Sequence, residues 1–301
     1  MADKKELDFI YSTIDKIFRL SMGEMGDFSC AMYNGDFSLS LEEAQKAKHK
    51  FIADSLNIHE GSRVLDLGCG WGALLRYVTR ERGAEAVGLT LSGSQAKACR
   101  KNGLNVHVKD CRDVKVEDFG TFDAITCIGA FEHFSSPQDM IAGRQQQIYR
   151  NFFKSVCSLL PSGGRFYNQT MVFGKNMIPY EQFDIKAPKE SDAYVLALIQ
   201  EEFPASWLPY GWEMVADTAS PYFNLAFKSS GRLDYIETIR QWEIRYRKFN
   251  LKKYWLYLSM LPKYLYNKDF RYRVAIFQSS PNRECFRREI MDHYRMVFEK
   301  A

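Results

Sequence analysis

Nowhere in its 301 residues does the sequence hold the run of about 18 apolar residues that a membrane-crossing helix needs. The opening stretch MADKKELDFIYSTIDKIF carries acids and has no apolar block with a small-residue cleavage site, which argues against a secretory leader. Seven cysteines (Cys30, Cys69, Cys99, Cys111, Cys127, Cys157 and Cys285) are odd in number, widely spread and without a CxxC pair. Neither a disulfide framework nor a zinc site is expected from them. An excess of one charge is missing too: 41 Lys+Arg against 37 Asp+Glu leave +4, too mild to argue for a nucleic-acid partner. There is no internal repeat and no low-complexity segment. What remains, 46% hydrophobic and 26% charged, is the composition of a globular enzyme, expected to be reduced and cytoplasmic.

Along the chain the hydrophobic period changes twice. Residues 1–60 read as an N-terminal helical cap, with Leu7, Ile10, Ile14, Ile17 and Phe18 at helical spacing and the pattern repeated over 39–56. Ser40, three residues before Glu43, has the spacing of a capping box. From Gly61 short apolar runs alternate with helical stretches: RVLDL (63–67), AEAVGL (84–89), LNVHV (104–108), FDAITCI (122–128) and GRFYNQT (164–170). Strand and helix in alternation predict an α/β fold with a doubly wound, parallel sheet over 61–170. After Thr170 the rhythm breaks, and 171–301 reads as a helical cover with C-terminal helices, a strand candidate FNLAFKSS (223–230) and a closing strand HYRMVFE (293–299). The three segments are expected to form one integrated domain.

The sharpest local signal is Val64-Leu65-Asp66-Leu67-Gly68-Cys69-Gly70-Trp71-Gly72. Glycines at alternate positions after a buried strand let the backbone turn tightly and approach a ligand closely. Gly68-x-Gly70-x-x-Ala73 also fits a dinucleotide fingerprint, so the glycines alone do not choose the cofactor. Three further features favour S-adenosylmethionine. Asp66 stands where a carboxylate holds an amino group and repels a pyrophosphate. The second strand ends in Gly88-Leu89-Thr90, without the acid that takes the ribose hydroxyls of NAD. Finally, Leu160-Pro161-Ser162-Gly163-Gly164 before a strand resembles the turn into strand five of class I methyltransferases.

Seven blocks then follow one another in order: Asp27-Phe28-Ser29-Cys30-Ala31-Met32-Tyr33, Ser40-Leu41-Glu42-Glu43-Ala44-Gln45, Leu65 to Gly72, Gly88-Leu89-Thr90-Leu91-Ser92, Ile128-Gly129-Ala130-Phe131-Glu132-His133-Phe134, Glu202 to Pro209 (EFPASWLP) and Asp234 to Trp242. Together they resemble the cyclopropane-fatty-acid synthases, in particular their mycolic-acid branch, from about Phe18 to the end of the chain. The resemblance implies a class I methyltransferase, Rossmann-like sheet with a helical substrate-covering insertion. It also implies a reaction in which one carbon of S-adenosylmethionine goes to an alkene of a lipid chain. The resulting carbocation loses a proton to bound bicarbonate and closes to a ring, or is diverted to a methyl branch. Carried onto matching positions, the cofactor site comprises Ser29, Asp66, Gly68, Gly70, Gly72, Thr90 and Gln95, with Phe28, Cys111 and Arg112 beside them. The bicarbonate cradle comprises Cys30, Glu132, His133, Tyr235 and the backbone at Ile128. The sequence departs from the family at Phe28 (usually Tyr), Asp234 (usually His), Cys111 (usually aromatic), a longer stretch over 135–153 and a Tyr- and base-rich tail over 245–280.

The residue types suit that chemistry. A carboxylate such as Glu132 about 4 Å from a cation is worth roughly 4 kcal/mol at an effective dielectric of 20, or about a thousandfold in rate. Water must be excluded, so aromatic walls and a helical lid over 171–218 are expected. Glu132 and His133 adjoin at a strand end and could hold one small anion between them if His133 donates. Bland readings stand beside these. Cys30 fits an ordinary buried thiol, Glu132 and His133 a solvated loop pair, and Tyr235 with Trp242 the core face of a helix. His133 has no second His or Cys at ligand spacing, and no metal is expected.

Besides the lipid-modifying enzyme, two other readings remain. One is a C-, N- or O-methyltransferase acting on a small metabolite such as a terpenoid or polyketide; the other is a cofactor-binding protein without catalysis. The tail from Arg245 to Leu258 invites peripheral contact with an anionic membrane through basic heads and aromatic anchors. The first expectation for it is an amphipathic helix packed on the core with snorkelling Lys and Arg. Neither the subunit number nor the identity of the alkene is legible.

Overall fold

The computed structural model describes Met22 and residues 26–268, 270–271 and 281–301. The helical pattern read over the first 21 residues and the end of the Tyr-rich tail lie outside the described residues. The first helix described, α1 (Leu41–Ser55), starts where the capping box put it: Ser40 Oγ accepts from Glu43 N–H, and Glu43 Oε2 accepts from Ser40 N–H at 2.8 Å.

The alternating segment gives β1 (Arg63–Leu67), α2 (Ala73–Arg82), β2 (Glu85–Thr90), α3 (Gly93–Lys101), β3 (Asn105–Val108), β4 (Ala124–Ile128), α4 (Gln145–Ser158) and β5 (Arg165–Phe173). The first strand includes Leu67, one residue past Asp66. β5 runs on beyond Thr170 because its whole length pairs antiparallel with the closing strand, Thr170 opposite Tyr294 and Phe173 opposite Met291. The C-terminal third supplies α5 (Asp192–Glu202), α6 (Gly211–Ala219), β6 (Phe223–Ser230), α7 (Arg232–Arg247), α8 (Leu251–Tyr266), α9 (Pro281–Arg287) and β7 (Met291–Lys300). All seven strands form one sheet in the order β3-β2-β1-β4-β5-β7-β6. β1 to β5 are mutually parallel and β7 is antiparallel to both its neighbours, so the C-terminal third completes the sheet begun at Arg63.

Both sheet faces are covered, which is why the parallel strands read as continuous apolar runs instead of alternating ones. On one face Leu65, Ile125, Phe166 and Phe298 pack with Phe152, Phe153 and Val156 of α4 and Val215 of α6. On the other, Val64, Ala124, Tyr167 and Val297 meet Ile52 of α1 and Leu74 and Val78 of α2. A separate apolar cluster joins Ala31 and Tyr33, Phe173, Val195 and Leu196 of α5, Trp207, Trp242 of α7 and Phe286 of α9. That cluster draws the N-terminal loop, the Phe203–Pro209 stretch and α7 together beside the end of β5.

Among the described residues no helix is long and apolar enough to cross a membrane. The packed-helix expectation for the tail does not hold for α8: Lys253 is its one buried residue, and most of its large apolar side chains are exposed.

Candidate active site

The carboxyl ends of β1, β2 and β4 meet at one edge, the place where open α/β sheets bind ligands. Gly68, Gly70 and Gly72 all lie in the left-handed region, at φ of 88°, 53° and 74°. At two of them crowding excludes a side chain as well. A Cβ on Gly68 would lie 2.5 Å from Ala130 Cβ, and one on Gly72 2.6 Å from Leu104 Cδ1. A Cβ on Gly70 would meet nothing within 4 Å, so this is the glycine whose missing side chain leaves open space.

Beneath the turn lies Asp66, buried, with Oδ1 accepting from Thr126 Oγ1 at 2.8 Å. Burial pushes its carboxyl up to about 7 against the hydroxyl's opposing effect. At the end of β2, Thr90 Oγ1 donates to Gln95 Oε1 at 2.7 Å and accepts from Ser92 N–H. These buried neutral groups stand where a dinucleotide site would place its acid. Cys111 and Arg112 form a single turn after β3. Arg112 pairs with Asp110 at 2.5 Å, and its guanidinium carbon lies 5.9 Å from the Phe134 ring.

The second half of the site is the turn after β4. Glu132 and His133 sit on a 3₁₀ turn (Ala130–His133) that follows the strand, and they bond different partners. Glu132 is buried, with Oε1 accepting from Met171 N–H of β5 at 2.8 Å. Desolvation pushes its carboxyl up to about 8, so in the resting protein it is largely protonated at neutral pH. This amends the simple Coulomb argument, because a cation beside Glu132 must first favour loss of that proton. His133 Nδ1 lies 2.7 Å from Ser206 Oγ, and burial holds its imidazole down to about 4, hence neutral. The two most distinctive motifs, GAFEHF and FPASWLP, therefore meet in space. Trp207 N–H also donates to Ser135 O at 2.8 Å.

Tyr235 on α7 comes to the same buried space. Its hydroxyl is held well above its usual value, first by burial and then by the nearby Glu132, Cys30 and Asp27. Its ring packs on Phe286 and His293. Trp242, two turns further along the same face, stacks on the half-exposed Phe28 at 4.9 Å. Gln169, opposite Ile128 in the sheet, donates to Cys30 O at 3.2 Å and so ties the N-terminal loop to the end of β4. Cys30, Ile128, Glu132 and Tyr235 are thus brought together, with His133 turned towards Ser206.

Two buried ion pairs lie under the N-terminal loop. Lys48 of α1, fully enclosed, donates to Asp27 Oδ2 at 2.6 Å and to Ser29 Oγ at 2.5 Å, and His49 Nε2 lies 2.8 Å from the same carboxylate. Ser29 Oγ in turn donates to Asp27 Oδ1, so its hydroxyl is committed to this network. Arg295 Nη2 reaches Asp234 Oδ2 at 2.8 Å, Ala31 O at 2.7 Å and Cys30 Sγ at 3.5 Å. The Cys30 thiol is pushed up to about 12, first by burial, and donates to backbone carbonyls, so it is no nucleophile.

Sequence reasoning had no place for Lys48, His49, Gln169, Ser206 or Arg295. The available signals were polar: Asp234 was visibly out of pattern, and the strand alternation puts His293 and Arg295 on one inward face with Met291 and Val297.

Comparison with known proteins agrees with this geometry. Residues 2–275 match the family described as mycolic acid cyclopropane synthetase. The chain is 31% identical over 238 residues to hydroxymycolate synthase MmaA4 of Mycobacterium tuberculosis, covering 77% of this chain and 74% of that protein. It is 30% identical over 236 residues to cyclopropane mycolic acid synthase 3 of the same organism, covering 77% and 78%. Among solved structures, mycolic acid cyclopropane synthase CmaA1 complexed with SAH and CTAB superimposes with a TM-score of 0.78 at 25% identity, over 99% of this chain and 98% of that one.

Proposed function

The chain belongs to the mycolic acid cyclopropane synthetase family, and from that premise we propose that it is an S-adenosylmethionine-dependent enzyme adding one carbon to an alkene of a lipid acyl chain. The observation that carries this reading is a pair of buried carboxyls at one sheet edge, Asp66 and Glu132. Each accepts from a neutral donor and each is raised by burial, to about 7 and about 8. Such groups await a positive charge, whose arrival would restore their ionisation. The open side of Gly70 leaves the backbone accessible beside them.

When bound, S-adenosylmethionine supplies a methyl group activated on a sulfonium, together with a free ammonium. Asp66 would hold the ammonium beneath the glycine turn, and Thr90, Gln95, Cys111 and Arg112 would border the nucleoside end. Glu132 would face the positive charge that develops on the acceptor alkene, in a low-dielectric space where one carboxylate counts most. Tyr33, Phe173, Trp207 and Trp242 wall that side with apolar surface, excluding the water that would trap a carbocation as an alcohol.

For the final proton a small anion fits the donor set. Tyr235 offers an O–H donor in the buried space beside Glu132, and the Arg295 guanidinium, paired with Asp234, lies behind Cys30. We assign bicarbonate to this cradle, as base for the leaving proton.

The deciding experiment is expression in a host fed methionine with a fully deuterated methyl group, followed by mass analysis of lipids and small extractables. A new lipid retaining two deuteriums marks ring closure, in which the cation loses a methyl deuteron. Three retained deuteriums mark a methyl branch with the proton lost elsewhere. Label confined to a small metabolite, with none in lipid, would overturn the lipid acceptor in favour of a terpenoid- or polyketide-type one.

A further inference from the structure

Helix α8 carries an apolar face that the fold leaves uncovered. Leu251, Tyr254, Trp255, Leu258, Leu261 and Leu265 recur at three- and four-residue steps and fall within one arc of about 120° at roughly 100° per residue. All six are exposed, Trp255 by 72%, and Tyr266 at the helix end by 88%. The partly covered residues of the helix, Leu256, Tyr257 and Met260, lie on the other side with the buried Lys253.

The outward aim of this face is fixed. Lys253 Nζ donates to Tyr246 O and Lys248 O at the carboxyl end of α7, and Tyr257 donates to the Tyr246 hydroxyl at 2.7 Å. Asn250 caps the helix by accepting from Lys252 and Lys253 N–H. The exposed stripe therefore belongs to a helix anchored at both its start and its inner side.

Its charge is of one sign. From Ile244 to Lys268 the sequence holds Arg245, Arg247, Lys248, Lys252, Lys253, Lys263 and Lys268 and no Asp or Glu; of these Arg245 is paired with Glu42 and Lys253 is buried on backbone carbonyls. Lys252 and Lys263 fall together on one flank of the apolar arc, where their heads would lie level with lipid headgroups. A second copy of the same helix would bring like charges together. An anionic bilayer complements both the apolar arc and its basic flank.

We infer that α8 is an interfacial anchor: its apolar arc inserts into the headgroup region of an anionic lipid surface, and Lys252 and Lys263 on its flank bind the acidic headgroups. The inference deepens the lipid-acceptor reading and rests on it for its purpose. α7 links the anchor to the site, since Tyr235 lies near its start and α8 follows its end. The acceptor chain would then enter from the membrane on which the enzyme sits.

The test is flotation of the full chain with vesicles of phosphatidylcholine alone and of phosphatidylcholine mixed with phosphatidylglycerol. The wild type should float with the mixed vesicles and far less with the neutral ones. Trp255→Ser combined with Leu258→Ser, and separately Lys252→Glu with Lys263→Glu, should each reduce flotation at least tenfold. These substitutions are at exposed positions, and circular dichroism checks that the fold is kept. Failure of the wild type to float with mixed vesicles overturns the inference, as does flotation of both variants at the wild-type level. A dimer in sedimentation velocity that Trp255→Ser dissolves, with no flotation, would assign the face to a second copy and equally overturn it. Flotation needs no turnover, so a wrong acceptor would leave this result intact. Conversely, turnover of detergent-dispersed lipid by the variants would sustain the acceptor reading even if flotation failed.

Discussion

Glu132 shows how burial sets a residue's role. With a carboxyl near 8 it rests protonated and gains its charge only when something positive enters. Glu132→Gln keeps the shape and a hydrogen-bonding group but can never ionise. Turnover should fall about a thousandfold, the rate equivalent of roughly 4 kcal/mol. S-adenosylhomocysteine affinity, measured by calorimetry, should move less than about threefold; equal losses in both would relocate Glu132 to the cofactor. Asp66 makes a separate prediction through pH. If the ionised form holds the ammonium, the dissociation constant for S-adenosylmethionine should rise about tenfold for each pH unit below about 7 and flatten above it. Asp66→Asn should bind weakly at every pH, with no such slope. A pH-independent wild-type affinity would remove Asp66 from the site.

At the scale of the element, the glycine turn separates a demand of folding from a demand of binding. Gly68→Ala meets both a left-handed backbone and the Ala130 side chain, so the variant should be destabilised well beyond the 1–2 kcal/mol or so of the backbone conformation alone. Gly70→Ala meets the backbone cost only, yet its methyl occupies open space beside the turn. It should melt close to the wild type and bind S-adenosylhomocysteine much more weakly; unaltered binding would mean that no ligand passes Gly70. This turn was readable because strand, glycines and helix are contiguous in sequence. β1 and β6 lie where their apolar patterns put them, and the capping box of α1 is formed. What escaped was long-range. The end of β5 is set by pairing with Met291, over a hundred residues away, and the partner of His133 is a serine in another motif. The outward face of α8 escaped as well, since an amphipathic pattern does not tell which medium its apolar side meets.

The whole molecule depends on polar links that close the N-terminal loop over the sheet. Arg295 on β7 holds Asp234 of α7 and the carbonyl of Ala31 in one buried junction. Asp234→Ala strands that guanidinium and should cost about 3–5 kcal/mol in denaturant unfolding, whereas a loss under about 1 kcal/mol would show the pair to be solvated. The pH response of the whole fold follows from groups of opposite sign. Asp66, Glu132 and Glu202 have folded values raised to about 7, 8 and 7, so their contribution is present below the unfolded carboxylate range and is lost as pH rises through those values. His133, lowered to about 4, acts oppositely: its contribution is present above the unfolded value near 6.5 and is lost as pH falls. Between pH 6.5 and 8 the carboxyls therefore act nearly alone, and the ligand-free protein should melt at a lower temperature at pH 8 than at 6.5. If S-adenosylmethionine binds ionised Asp66, as proposed, its stabilisation should be larger at pH 8, opposing the sense in which ligand-free stability changes. Melting curves at the two pH values, with and without the ligand, decide this. A ligand-free melting temperature that holds or rises towards pH 8 would mean that Asp66 and Glu132 already have their positive partner inside the folded chain, and the cation site would have to be sought elsewhere.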